Sequence, residues 1–184
     1  MRSEHEPGGP RVAPILQDRA RPPGFAAGAL PLATWPDTCE LLRSGDAGPF
    51  WLSVTRAGAA PHVRPIFAAW DTGTFFFVSK ESAAKTHHFT QHPQVSLSVD
   101  LKTLHLVVEG RVTRAADLQR ASTALREVFG WPTVVRDDQL DAEGGAPTSG
   151  GPPYEVWQLA PARAYAFPTH DQFDPTRWTF TDPA

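Results

Sequence analysis

The feature that most constrains this chain is the turn Asp71-Thr72-Gly73, set between the apolar runs Ile66 to Trp70 and Thr74 to Val78. Two β-prone runs joined by so short a Gly-containing turn have little choice but to pair antiparallel. An apolar run, "FWLSV", lies just upstream, and a turn signal at residues 57–60 separates it from the pair, so the region reads as a three-stranded meander. Its middle strand opens with His62, Arg64 and Pro65, three residues that a purely structural strand would not need. Proline cannot donate to a ladder, so Pro65 suits an edge or an opened seam. "QVSLSVD" and "TLHLVVEGRVTR" alternate and give two more strands, with Gly110 a bulge or a point of close approach. "YEVWQLAPARAYAFP" supplies the last one or two.

Helices are few. In "TWPDTCELLRSG", Asp37 is the expected N-cap and Glu40 its capping-box partner. A second short helix is expected within "SAAKTHHFTQH" before Pro93, and a third in "AADLQRASTALREVFG", which Gly130 ends. About six antiparallel strands with a few short helices and no βαβ rhythm predict a mainly β, Greek-key type split β-barrel. Residues 1–30, rich in Pro, Gly and Arg without an apolar period, read as a flexible arm or a strap, residues 31–168 as the barrel domain, and residues 169–184 as a docking tail. Residues 131–153 form an excursion too long for a plain connector, the kind of segment that serves as a lid or interface piece.

The 184 residues suffice for one core and are too few for two ordinary ones. A net charge of -3 argues against nucleic acid, and no run is long enough to span a bilayer. The single Cys39 excludes an internal disulfide, and the first residues lack the apolar stretch of a secretory signal, so a cytoplasmic location is the expectation. No Gly-x-Ser-x-Gly elbow, phosphate-cradling loop or dinucleotide fingerprint occurs. His87, His88 and His92 lie close together, but no acid completes a metal set, so they read as solvated helix histidines and no metal is expected. Arg64, Lys80 and Lys85 could converge on a small anion if the meander curls, with Ser79, Ser82 and Thr86 adding hydroxyls.

These same residues carry a family resemblance. "AAPHVRPIFAAWDTGTFFFVSK", "FVSKESAAKTHHFTQHPQVSLSV" and "LVVEGRVTR" together resemble the pyridoxamine 5'-phosphate oxidase-like, FMN-binding split-barrel superfamily, including its actinobacterial deazaflavin-dependent members. The resemblance implies a homodimer with FMN in the cleft between subunits, used for hydride transfer to or from a small molecule. It implies that Arg64 and Lys85 neutralise the cofactor phosphate and that Ser79 adds a hydroxyl. Backbone groups of Pro65, Ile66, Phe67, Val78 and Ser79 would line the ring, with Lys80 beside them. His105 would touch the flavin of the neighbouring subunit, and Arg177 and Trp178 of the tail, with residues 131–153, would cover the ring from the partner side. Three departures stand out: Ala83-Ala84 replaces the family's Ser-Arg, Ala69 replaces a lysine, and "PTRWTF" lacks the oxidases' Arg-x-His. They speak against oxidation of pyridoxamine phosphate itself. Two alternatives share the fold: a reductase dependent on the deazaflavin coenzyme F420, and a non-catalytic flavin, haem or tetrapyrrole binder.

Overall fold

The computed structural model describes residues 9–15, 30–45, 47–146 and 149–181. Within them the chain forms eleven strands and three helices. The meander is β2 (Phe50–Val54), β3 (His62–Ile66), β4 (Ala68–Asp71) and β5 (Thr74–Ser79). The run expected as one middle strand is thus broken at Phe67: β3 pairs antiparallel with β2, whereas β4 pairs antiparallel with β5. A single chain direction changes partners there, and Pro65, opposite Trp51, is the last-but-one residue before the change.

After β5 come α2 (Ala84–Gln91), β6 (Gln94–Asp100), β7 (Leu104–Arg114), α3 (Leu118–Phe129), the hairpin β8 (Thr133–Arg136) and β9 (Gln139–Ala142), then β10 (Glu155–Pro168) and β11 (Thr176–Thr179). β10 is one long strand where one or two were expected. β7 accompanies it from Trp157 to Pro168, while its other edge pairs first with β5 and then with β11. The larger sheet holds nine strands and the β8–β9 ribbon stands apart. The count exceeds the six expected because the meander's middle strand breaks, the excursion folds, and both chain ends add strands. One ladder path runs from β4 through β5, β10, β7, β6 and β2 to β3. β3 and β4 are joined only through Phe67, so the described structure is a mainly antiparallel sheet whose ends meet in the chain, not a ring of ladders closed all round.

Alternation sorts the side chains onto two cores. Phe50, Leu52, Phe75, Phe77, Leu97, Leu106, Leu159 and Trp178 fill the first, on the inner face. Phe76, Ala69 and Val156 point the other way and meet Ala121, Ala124 and Leu125 of α3 with Leu140 of the ribbon. At Gly110 a Cβ would stand 2.1 Å from the Ala160 carbonyl oxygen, so the expected close approach is realised where β7 crosses the irregular stretch of β10 between Pro161 and Arg163.

Several local expectations change. Helix α1 (Trp35–Arg43) is capped by Thr34, whose side chain accepts from the Asp37 backbone N–H. Asp37 lies inside the first turn, where its charge still suits the helix dipole. The excursion 131–153 is a folded piece, not a featureless lid: Asp137 and Asp138 both adopt positive φ and make the tight β8–β9 turn. Ser122 of α3 and Thr133 of β8 then join the ribbon to the helix, 2.8 Å between their hydroxyls. Of the N-terminal arm, β1 (Arg11–Pro14) pairs antiparallel with β11 at the sheet edge, while residues 1–8 and 16–29 lie outside those described.

Candidate functional site

The break at Phe67 makes the site. The β4–β5 ladder ends at the pair Ala68 and Phe77, so beyond it β3 and the end of β5 diverge. A cavity of about 360 Å³ opens in this seam, a size within the ordinary range for small-molecule sites. Pro65, Ile66, Phe67 and Val78 line it from the sheet, and Lys85 from α2. The opposite wall is the end of α3 and the segment just past it: Leu125, Phe129, Gly130, Trp131 and Pro132, with Ala146 and Ser149 from beyond the ribbon. Gly130 caps α3 in the left-handed conformation, which reverses the chain and folds Trp131 back over the seam. The Trp131 indole donates to the Gly145 carbonyl at 3.1 Å, and Phe129 meets Phe67 edge-on at 5.3 Å. The slot is therefore apolar and aromatic, with a single cation.

That cation is held in place by hydroxyl chemistry beneath it. Thr86 Oγ1, next in α2, donates to the Lys80 carbonyl at 2.8 Å and shares a hydroxyl–hydroxyl hydrogen bond with Ser79 Oγ at 2.7 Å, and both hydroxyl residues are buried. These bonds tie the first turn of α2 to the end of β5. Ala83, the N-cap, offers no side chain to the helix start. Burial, and after it the neighbouring Arg64 guanidinium, hold the Lys85 ammonium below its ordinary pKa. No carboxylate pairs with Lys85 or Arg64 among the described residues. Two cations share one region without a counter-ion, which is the electrostatic arrangement of an anion site.

The structure thus brings Pro65, Ile66, Phe67, Val78 and Lys85 to one cavity, with Arg64 close enough to Lys85 to depress its pKa. Ser79 sits behind the site: fully buried, its hydroxyl is used by Thr86. Lys80 leans over the Tyr154 ring, 6.0 Å from its centroid, and lines a separate open cleft with Glu81 and Glu155. His105 is exposed near Asp100, 3.9 Å away, and does not line the cavity. Arg177 is exposed on β11, opposite Tyr165 and Ala13. Trp178 does not cover a ring from a partner: only 1% exposed, it packs edge-on against Trp35 at 5.2 Å in its own core. The inward position on β11 dictates this, since its neighbours on the strand alternate to the outside.

Sequence reasoning missed the α3 wall. Leu125 and Phe129 lie in the helix that Gly130 ends, which was expected as a structural element and given no part in the site. Trp131, Pro132, Ala146 and Ser149 belong to the excursion expected to reach across from a partner; they instead line the cavity of their own chain. Exposed apolar side chains continue outward from the seam. Trp51 sits opposite Pro65, and Val63 and Phe67 follow the same face, all three more than 40% exposed.

The comparisons with known proteins agree with this geometry. The chain belongs to the pyridoxamine 5'-phosphate oxidase family, whose model matches residues 45–167, the stretch from before β2 almost to the end of β10. The FMN-binding, pyridoxamine 5'-phosphate oxidase-related protein of Nostoc punctiforme shares 19% identity, over 82% of this chain and 93% of that one, at a TM-score of 0.51. An FAD-binding protein of Mesorhizobium loti shares 19%, over 80% and 96%, at 0.51. A haem-binding protein of Mycobacterium smegmatis shares 13%, over 73% of this chain and 55% of that one, at 0.53. At such identities the likeness is one of fold. No curated protein matches the chain.

Proposed function

We propose that this protein is a flavin-binding oxidoreductase that holds FMN in the seam between β3 and β5. The observation that carries the reading is the pairing of an apolar slot, formed by Pro65, Ile66, Phe67 and Val78, with two cations at its side, Lys85 and Arg64, that no carboxylate of the described residues pairs. A flavin needs both: a dry flat recess for its ring and positive charge for its phosphate. When bound, the flavin supplies hydride chemistry. The chain's residues would orient it: Lys85 and Arg64 would hold the phosphate, the β3–β4 break would leave room for the ring, and Phe129 with Trp131 would exclude water from one side.

The exposed strip of Trp51, Val63 and Phe67 beside the slot suits a second copy of the chain, which would close the site as a split-barrel homodimer. The substrate would be a small molecule: among the described residues the cavity lining carries no carboxylate or imidazole, and its basic group, Lys85, is the one given to the phosphate. Where the slot takes a deazaflavin instead, the same cations serve its phosphate. Titration of the purified protein with FMN tests the reading: quenched flavin fluorescence at one equivalent per chain supports it, and absence of binding rejects it.

A further inference from the structure

His62, the member of the opening strand that the sequence left without a role, packs its ring 5.2 Å from that of His88 on α2. His88 in turn lies 5.8 Å from His87. His62 is two residues before Arg64 and so shares its face of β3, leading away from the cavity. The charged groups acting on the His62 ring are Arg64 of its own strand, Arg56 from the turn between β2 and β3, and His88 and Lys85 from α2. Those acting on His88 are His87 and His92 of its own helix and Arg56. Every one is a cation or becomes one on protonation, and no carboxylate of the described residues acts on either ring.

Partial burial first, and these cations after it, hold both imidazoles below their ordinary range. Both rings remain partly open to solvent, so what they lack is a counter-ion, not access. An arriving dianion would supply it. The cations already in place at Arg64 and Lys85 would attract that dianion to the same place.

We propose that His62 and His88, with Arg56, extend the Arg64 and Lys85 pair into a proton-coupled site for a dianionic oxyanion of the phosphate or sulfate class. The inference rests on the anion role given to Arg64 and Lys85 above. Binding of the dianion raises the proton affinity of both rings, and by reciprocity protonation of the rings tightens the dianion. Ligand grip then strengthens as pH falls through the histidine range, and ligand binding takes up protons.

Inorganic sulfate is the probe, because it keeps both charges throughout the range where a phosphate ester would itself titrate. Imidazole C2–H resonances, assigned through His62→Gln and His88→Gln, are followed from pH 8 to 5.5 with and without sulfate. In the wild-type chain, both titration midpoints move to higher pH with sulfate, and sulfate affinity rises by roughly tenfold across the range. His62→Gln flattens that rise, while His170→Gln, on the exposed loop before β11, leaves it as steep as in the wild type. Unmoved midpoints, a flat affinity, or a His62→Gln response as steep as the wild type would each overturn the proposal. Loss of FMN binding at pH 8, where the rings are neutral, would instead reject the flavin reading and leave the sulfate result to stand or fall separately.

Discussion

Replacing Lys85 with methionine should make the ligand-free protein more stable and the cofactor grip weaker. The ammonium is partly buried and near Arg64, with no carboxylate of the described residues paired to it, and burial first and Arg64 after it hold its pKa below the ordinary 10.5. Between the lowered folded value and 10.5 the unfolded chain binds more protons than the folded one. Stability therefore rises with pH across that window, and below it the charge is a standing cost to the fold. Methionine keeps an unbranched apolar stem at this place in the cavity wall and removes the charge. The gain should be of the order of 1 kcal/mol, which for a chain of this length raises Tm by about 2–4 °C. On the ligand side one charge-assisted contact is lost, about 1.5–3 kcal/mol, or roughly 10- to 150-fold in the Kd for FMN. Scanning calorimetry of the ligand-free variant and fluorescence titration with FMN read the two effects separately. A Lys85→Met protein that melts lower than wild type would make Lys85 a structural residue, and an unchanged Kd would remove it from the phosphate.

Gly110→Ala should destabilise the fold by roughly 2–3 kcal/mol, since the new methyl would overlap the Ala160 carbonyl within the β7–β10 ladder; a urea melt measures it. Cys39 should resist thiol reagents at pH 8 until the chain unfolds, because burial above all pushes its pKa up to about 11, against the opposing pull of Arg43 and Trp70. Burial alone would raise Asp71, but the contacts from Arg120 and Thr72 outweigh it and hold the carboxyl below 3.8. Its contribution is thus present above 3.8 and lost as pH falls through the folded value, and Arg120→Ala should remove that acid sensitivity in melts between pH 5 and 2.

Much of the fold was legible because its signals are local. The Asp71-Thr72-Gly73 turn, the alternation in β6 and β7, and the helix that Gly130 ends each depend on neighbours within a few residues. The partner change at Phe67 was half legible: Pro65 announces a ladder that must open, but which strand lies on the far side depends on β10 pairing with β5. Arg64 and Lys85 were readable together mainly through the family resemblance, since twenty-one positions separate them in sequence. Trp178 and the α3 wall were not, because whether an aromatic fills its own core or faces a ligand is decided by packing between remote segments. His62 waited for the same reason, its neighbour His88 being set by how Ser79 and Thr86 seat α2.

The central claim, that Lys85 and Arg64 hold a flavin phosphate beside an apolar slot for the ring, is tested most directly by comparing FMN with riboflavin, which lacks only the phosphate. Isothermal titration of both at pH 8 should find FMN bound about 100-fold more tightly, the weight of its phosphate contacts. Equal affinity for the two, or no binding of either, would contradict the account.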